Sequence, residues 1–159
     1  MHRHDATIEA GPVPALYRAV PSAGRIALVA ESFQRLLRKP LVAPGGDPVA
    51  ALWRAPFAVV AHGAEPDPLF FFGNAIALAA FECDPARFVG MPSRLSAEAP
   101  LREERQALLD RVTVHGFIDD YSGLRISATG RRFRIGPATV WNLVDAGGIC
   151  SGQAATFAP

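Results

Sequence analysis

The chain has 159 residues, of which 16 are basic and 15 acidic, so its formal net charge is +1. This near-neutral balance argues against a dedicated nucleic-acid binder, because phosphate binding needs a clear basic surplus on one face. Half of the residues are hydrophobic, which at this length predicts one globular domain with a substantial core.

Neither a secretory leader nor a membrane span is expected. The first residues have no apolar stretch behind their charges. The most apolar segment, Leu69–Cys83, is interrupted by Asn74 and is shorter than the roughly 20 residues that span a bilayer. The two cysteines, Cys83 and Cys150, form neither a disulfide framework nor a metal motif. We therefore expect a cytoplasmic protein without a metal site.

The N-terminal part of the chain predicts an arm followed by a helix. Residues 1–21 contain several prolines and no sustained period, which predicts a flexible arm. Apolar residues at helical spacing over 22–38 predict an amphipathic helix, with Ser22 as its cap and Pro40 beyond its end. Such a helix either packs on the domain or pairs with a partner subunit, so a homodimer through 22–38 is one expectation.

The rest of the chain predicts an α+β fold. A short helix capped by Asp47 and ending near Trp53 completes a helical extension over 22–54, and residues 55–159 form the main domain. Its predicted elements are strands Phe57–Gly63 and Leu69–Phe72, helices Ala75–Phe81, Arg87–Gly90 and Pro100–His115, and strands Phe117–Ser127, Arg132–Val144 and Ile149–Phe157. We expect one five-stranded antiparallel sheet with these helices on one face.

Seven strings along the main domain carry a family resemblance. They are Pro56–Gly63, Asp67–Asn74, Phe88–Glu98, Arg102–Arg105, Gly116–Gly123, Arg131–Ile135 and Ala138–Leu143. Together they resemble the bacterial stand-alone members of the MEKHLA domain family, which is PAS-like. The resemblance covers about 22–157 and implies a PAS-like domain over 55–159 with a sensory or regulatory role. It implies no particular substrate or reaction.

Ten residues are candidates to bind a small organic ligand between the sheet and the helices of such a domain. They are His62, Asn74, Ser93, Arg94, Arg105, Tyr121, Arg125, Trp141, Asn142 and Gln153. The polar groups among them would orient a ligand that the apolar walls enclose.

Several of these candidates also have structural interpretations. His62 either hydrogen-bonds to a bound molecule or coordinates the iron of a haem, or else it forms a structural hydrogen bond to the turn beside it. Asn74 is placed to cap the helix that follows it. Arg94 and Arg105 either hold an anion through their guanidinium forks or belong to a salt-bridge network. Trp141 either stacks on a planar ligand or belongs to the core.

Three classes of function remain open at this point. The first is a binding module that acts through a separate partner. The second is a small enzyme with His62 as base and Arg94 or Arg105 as anion clamp. The third is an interaction domain whose cavity is filled by four side chains: Phe70, Phe72, Phe81 and Phe117.

The cofactor is not identified by the sequence. Cys83 lacks the Asn-Cys-Arg-Phe string of light sensors that form a flavin adduct, so we do not expect that photochemistry. We do not favour haem either, because a structural hydrogen bond is the simpler role for His62.

Overall fold

The computed structural model of the chain describes residues 10–97 and 102–159, without the side chains of residues 102 and 105. The helices are α1 Ala15–Arg18, α2 Ser22–Leu37, α3 Pro48–Trp53, α4 Ala75–Phe81, α5 Pro85–Phe88 and α6 Arg102–His115, with a 3-10 turn at Ser93–Ser96. The strands are β1 Ala58–Gly63, β2 Phe70–Gly73, β3 Phe117–Ile126, β4 Arg132–Val144 and β5 Cys150–Phe157.

The five strands form a single antiparallel sheet in the order β2-β1-β5-β4-β3, which confirms the predicted architecture. The last strand lies in the centre of the sheet, between β1 and β4. The register of β3 against β4 shifts on both sides of Tyr121.

One face of the sheet, which we call the inner face, packs against α6. Val60 on β1 and Val140 on β4 both lie opposite Ala155 on β5, so their side chains share this face. Leu108 and Val112 of α6 form a small apolar cluster with Val140 and with Ile118 of β3. The α6 helix therefore covers the β3–β4 side of this face.

The other face, the outer face, packs against α2. Trp141 is fully buried there, with its ring 4.9 Å from that of Phe33 and its Nε1 donating to the Val29 carbonyl at 3.1 Å. The apolar side of α2 is therefore covered within the chain, the first of the two alternatives for this helix. The predicted cap is wrong, since Ser22 is the first helical residue and α2 begins without a side-chain cap.

Within residues 10–21, which the sequence assigns to the flexible arm, Tyr17 packs against the domain. Tyr17 is fully buried and its ring lies 4.9 Å from that of Phe72. Its hydroxyl donates to the Gly73 carbonyl at 2.9 Å and accepts from the Gly73 amide at 3.2 Å. Trp53 Nε1 also donates to the Ala10 carbonyl at 3.1 Å. The buried ring of Tyr17, which lies between prolines, holds this segment on the domain although the segment has no periodic sequence pattern. Residues 1–9 lie outside the described part.

Burial raises the pKa of the Tyr17 phenol from 10.0 to about 12, against the opposing effect of its bond to Gly73. The folded chain thus holds the phenol proton more tightly than the unfolded chain does. The resulting stability is complete below about pH 10 and is lost as the pH rises from about 10 to about 12.

We expect the free energy of unfolding, measured with urea at several pH values, to fall in this window by up to about 3 kcal/mol. Tyr17→Phe should be less stable at neutral pH by about 1–3 kcal/mol, because it leaves buried backbone groups of Gly73 unpaired. It should also show a flatter alkaline profile. Tyr121→Phe is the matched control, and an equally steep fall in the Tyr17 variant would contradict this account.

Candidate functional site

A cavity of about 60 Å³ lies on the inner face of the sheet, between the sheet and α6. All strands contribute to its wall, together with α4, α6 and the 3-10 turn. Its described lining residues are Val60, His62, Phe70, Phe81, Ser96, Leu108, Leu109, Tyr121, Arg125, Ile135, Val140, Gln153, Ala154, Ala155 and Phe157. The wall is mostly apolar and carries a few polar groups, as small-molecule sites do.

A cluster of phenylalanines fills the neighbouring space. Phe70 stacks on Phe88 with centroids 4.3 Å apart, and Phe81 meets Phe133 edge-on at 5.1 Å. Phe70 and Phe81 also line the cavity. The other two residues of the predicted filling, Phe72 and Phe117, do not line it, because Phe72 packs on Tyr17 and Phe117 pairs with Trp141 on the outer face. The aromatic filling is therefore partial.

Gln153 places a buried amide in the cavity wall. Its side chain is held in one orientation, because Nε2 donates to Asn142 Oδ1 at 3.1 Å and to the Leu109 carbonyl at 3.3 Å. Asn142 in turn donates to the Val112 carbonyl of α6 at 3.1 Å. Gln153 is only 7% exposed, and no donor within the described residues reaches its Oε1. A buried acceptor of this kind calls for a donor from water or a ligand.

His62 lies beside Gln153 on the inner face, where the two are paired across β1 and β5. Its Nδ1 is 2.8 Å from the Gly63 carbonyl. Because a carbonyl only accepts, this contact assigns the hydrogen of the ring to Nδ1. The contact is the structural bond to the adjacent turn, and the ring lines the cavity as well.

Tyr121 and Arg125 line the cavity from the edge strand β3. The Arg125 guanidinium carbon lies 5.2 Å from the centre of the Tyr121 ring. Gly123 makes this possible, because a β-carbon at that position would lie 2.3 Å from the Tyr121 hydroxyl oxygen. Arg125 Nη1 donates to the Leu124 carbonyl at 3.0 Å, which orients the side chain.

Asn74 is a structural residue and does not line the cavity. Its Oδ1 accepts from the amides of Ala77 and Val59, both at 3.0 Å, and so caps α4 while tying it to β1. Its Nδ2 donates to the carbonyls of Leu52 and Phe57 at 3.1 and 2.8 Å. The side chain is completely buried and uses both of its polar atoms, so it has nothing to offer a ligand.

Arg94, one of the two arginines predicted as an anion clamp, does not line the cavity. Arg94 is about half exposed and its Nε lies 3.2 Å from both carboxylate oxygens of Asp67, away from the cavity. Ser93 is fully buried, and its amide donates to the Pro68 carbonyl at 2.8 Å. The side chain of Arg105 lies outside the described part. The enzyme interpretation therefore lacks Arg94 as a clamp.

Trp141 is also removed from the ligand site, because it faces α2 on the outer face. Asn142 lies on the inner face but is not among the described lining residues of the cavity. Its Oδ1 accepts from Gln153 Nε2 and so orients the Gln153 side chain. The sequence argument missed the apolar wall, for example Val60, Ile135 and Ala155. The strand patterns that contain these residues do not identify which face of the sheet holds a cavity.

Residues 10–97 and 102–159 contain no group of three or more His, Cys, Asp or Glu side chains placed to hold a metal ion. None of the described helices has the length and hydrophobicity needed to cross a membrane.

Comparison with known proteins identifies one family. The profile of the MEKHLA domain matches residues 23–159, a range that includes α2 and α3 as well as the whole sheet. No curated protein matches the sequence.

Solved structures similar to this chain are PAS and light-sensing domains. The PAS domain of a protein from Colwellia psychrerythraea aligns with a TM-score of 0.60 and 11% identity, over 68% of this chain and 89% of that one. The PAS domain of a LuxR-family transcriptional regulator from Burkholderia thailandensis, in complex with ethanol, gives 0.53 and 19%, over 67% and 92%. The photo-excited blue-light photoreceptor Vivid gives 0.56 and 12%, over 81% and 92%. These likenesses establish the PAS fold.

The cavity does not fit a flavin. A flavin analogue is named for one of the similar solved structures, a Light-Oxygen-Voltage domain. The cavity volume of about 60 Å³ is well below the roughly 300 Å³ at which pockets for larger ligands begin. Cys83 follows α4 and is not among the described residues of the wall.

We expect Asn74→Ala to lower the free energy of unfolding by about 3 kcal/mol or more, because four buried backbone groups lose their partner. Urea denaturation followed by circular dichroism measures this loss. Arg94→Ala is the comparison, with an expected loss below about 1 kcal/mol, since its ion pair is exposed. Equal losses in the two variants would contradict the structural role of Asn74.

Proposed function

Since this chain belongs to the MEKHLA domain family, we propose that it is a sensory or regulatory module that binds a small organic ligand in its inner-face cavity. The module acts through a separate partner in the cytoplasm.

The observation that carries the proposal is the acceptor of Gln153. Its Oε1 is buried in a mostly apolar wall and has no donor among the described residues, although Nε2 of the same amide donates to three acceptors. Leaving such an acceptor unpaired costs about 1–3 kcal/mol. A ligand that carries a hydroxyl or N–H group would satisfy it, while its apolar part contacts the surrounding wall.

The volume of the cavity limits the size of this ligand. About 60 Å³ accommodates a few heavy atoms, and the adjoining phenylalanines leave little further space. The PAS domain in complex with ethanol is a precedent for a ligand of that size on this fold. We therefore expect a molecule of about the size of a short alcohol or acid.

The α6 helix is the element through which an occupied cavity would act. Leu108 and Leu109 line the cavity, and the Leu109 carbonyl accepts from Gln153. A ligand that pairs with Gln153 would therefore alter contacts on α6 directly. The exposed side of this helix is then the surface that a partner would sense.

The homodimer through 22–38 stays a prediction. The apolar side of α2, with Ile26, Val29 and Phe33, is already buried in the same chain. A dimer through this helix would use its exposed polar side, which carries the Glu31–Arg35 pair.

Filling the cavity tests the proposal. Ala155 lies on the central strand and lines the cavity, so Ala155→Leu should occupy most of its volume. Ala79→Leu is the matched control, because Ala79 is exposed on α4. We expect 1-butanol, titrated into the ¹⁵N-labelled full chain, to shift amide signals of β5 and α6 in the wild type and in Ala79→Leu. Ala155→Leu should weaken this binding about tenfold or more.

Unchanged affinity for 1-butanol in a folded Ala155→Leu variant would contradict the proposal. So would amide shifts in the wild type that lie around α2 instead of around the cavity.

A further inference from the structure

We infer that the ligand of this cavity is a small carboxylate that also carries a hydroxyl or N–H group, so that Arg125 and Tyr121 bind its charged end while Gln153 Oε1 accepts from its donor. This inference rests on the proposed function and specifies its ligand class.

The charge of the cavity wall favours an anion. Arg125 is the one permanently charged side chain among the described lining residues, and no Asp or Glu belongs to that set. The ion pairs of the described chain involve other arginines, so Arg125 has no carboxylate partner there. A half-buried guanidinium without a counter-ion in an apolar wall is unfavourable by itself. An anionic ligand would supply the missing charge.

Two neighbouring donors are available for that anion. A guanidinium has five N–H donors, and the only hydrogen bond that Arg125 makes in the described structure is from Nη1 to the Leu124 carbonyl. The Tyr121 hydroxyl makes no hydrogen bond with the described residues. The two side chains lie together on β3, with the Arg125 guanidinium carbon 5.2 Å from the Tyr121 ring centre. A planar carboxylate, with two oxygens, matches a fork and an adjacent hydroxyl.

The surroundings of these donors suit a short apolar tail. Ile135 lies opposite Gly123 on β4, between the partners of Tyr121 and Arg125, and it is almost completely buried. Phe81 lines the same cavity and meets Phe133, the partner of Arg125 across the strands. A ligand with a carboxylate head and a few carbon atoms would therefore bury its tail against Ile135 and Phe81. The volume of about 60 Å³ restricts that tail to a short one.

The test compares propanoate with 1-butanol, which has the same number of heavy atoms but no charge. Each is titrated into the ¹⁵N-labelled full chain at constant ionic strength, with sodium chloride as the blank. We expect propanoate to bind about tenfold more tightly than 1-butanol, because charge-assisted hydrogen bonds are the stronger kind.

Substitution at Arg125 identifies the group responsible. Arg125→Met keeps most of the aliphatic stem and removes the charge, so it should raise the Kd for propanoate about tenfold while changing that for 1-butanol less than about threefold. Arg125→Lys keeps the charge without the fork and should lose less affinity than Arg125→Met. Arg134→Met is the matched control, because Arg134 is exposed on the same hairpin opposite Leu124, and it should not change either Kd.

The results separate this inference from the proposed function. Unchanged propanoate affinity in Arg125→Met would overturn the carboxylate assignment, and so would 1-butanol binding as tight as that of propanoate in the wild type. In both cases, loss of 1-butanol binding in Ala155→Leu would still support the cavity as a ligand site. An equal loss of propanoate affinity in Arg134→Met would also overturn the inference, because it would indicate general charge attraction.

Discussion

The rest of the structure depends on the position of Trp141, whose side chain is buried on the outer face of the sheet. Its ring is fully buried against Phe33, and its Nε1 is bonded to the Val29 carbonyl of α2. Because side chains alternate along a strand, this anchor sends Val140 and Asn142 to the inner face. A register slip of one residue would exchange the two faces. The contact between Trp141 and Phe33 on the outer face thus determines which side chains of β4 face the cavity on the inner face.

The central strands then bring the polar part of the wall together. Gly63 and Gly152 pair across β1 and β5, where a β-carbon on Gly152 would lie 2.1 Å from the His62 carbonyl oxygen. Only glycine permits this close approach, and it sets His62 beside Gln153 on the inner face. Gln153 is held in turn by Asn142 and by α6. The strands and α6 therefore form opposite walls of the cavity.

The five-stranded antiparallel sheet and the capping of α3 by Asp47 follow from sequence, because they depend on local patterns and on strings that resemble a known family. The site follows less well. On β4 four successive residues, 140–143, are buried, because both faces of the sheet are covered, and a strand buried on both sides has no alternation to show which residue faces a cavity. The sequence left Arg94 between an anion clamp and a salt bridge, because its partner, Asp67, is 27 positions away and spacing does not reveal such a contact.

The central claim is that the inner face holds a cavity that small molecules enter. A crystal of the protein pressurised with xenon tests this most directly, because xenon occupies apolar cavities without needing a particular hydrogen bond. The account predicts a xenon peak between Val60, Leu108 and Ala155, and its disappearance in Ala155→Leu. Xenon bound only elsewhere, for example beside α2, with the inner face closed by its phenylalanines, would contradict the account.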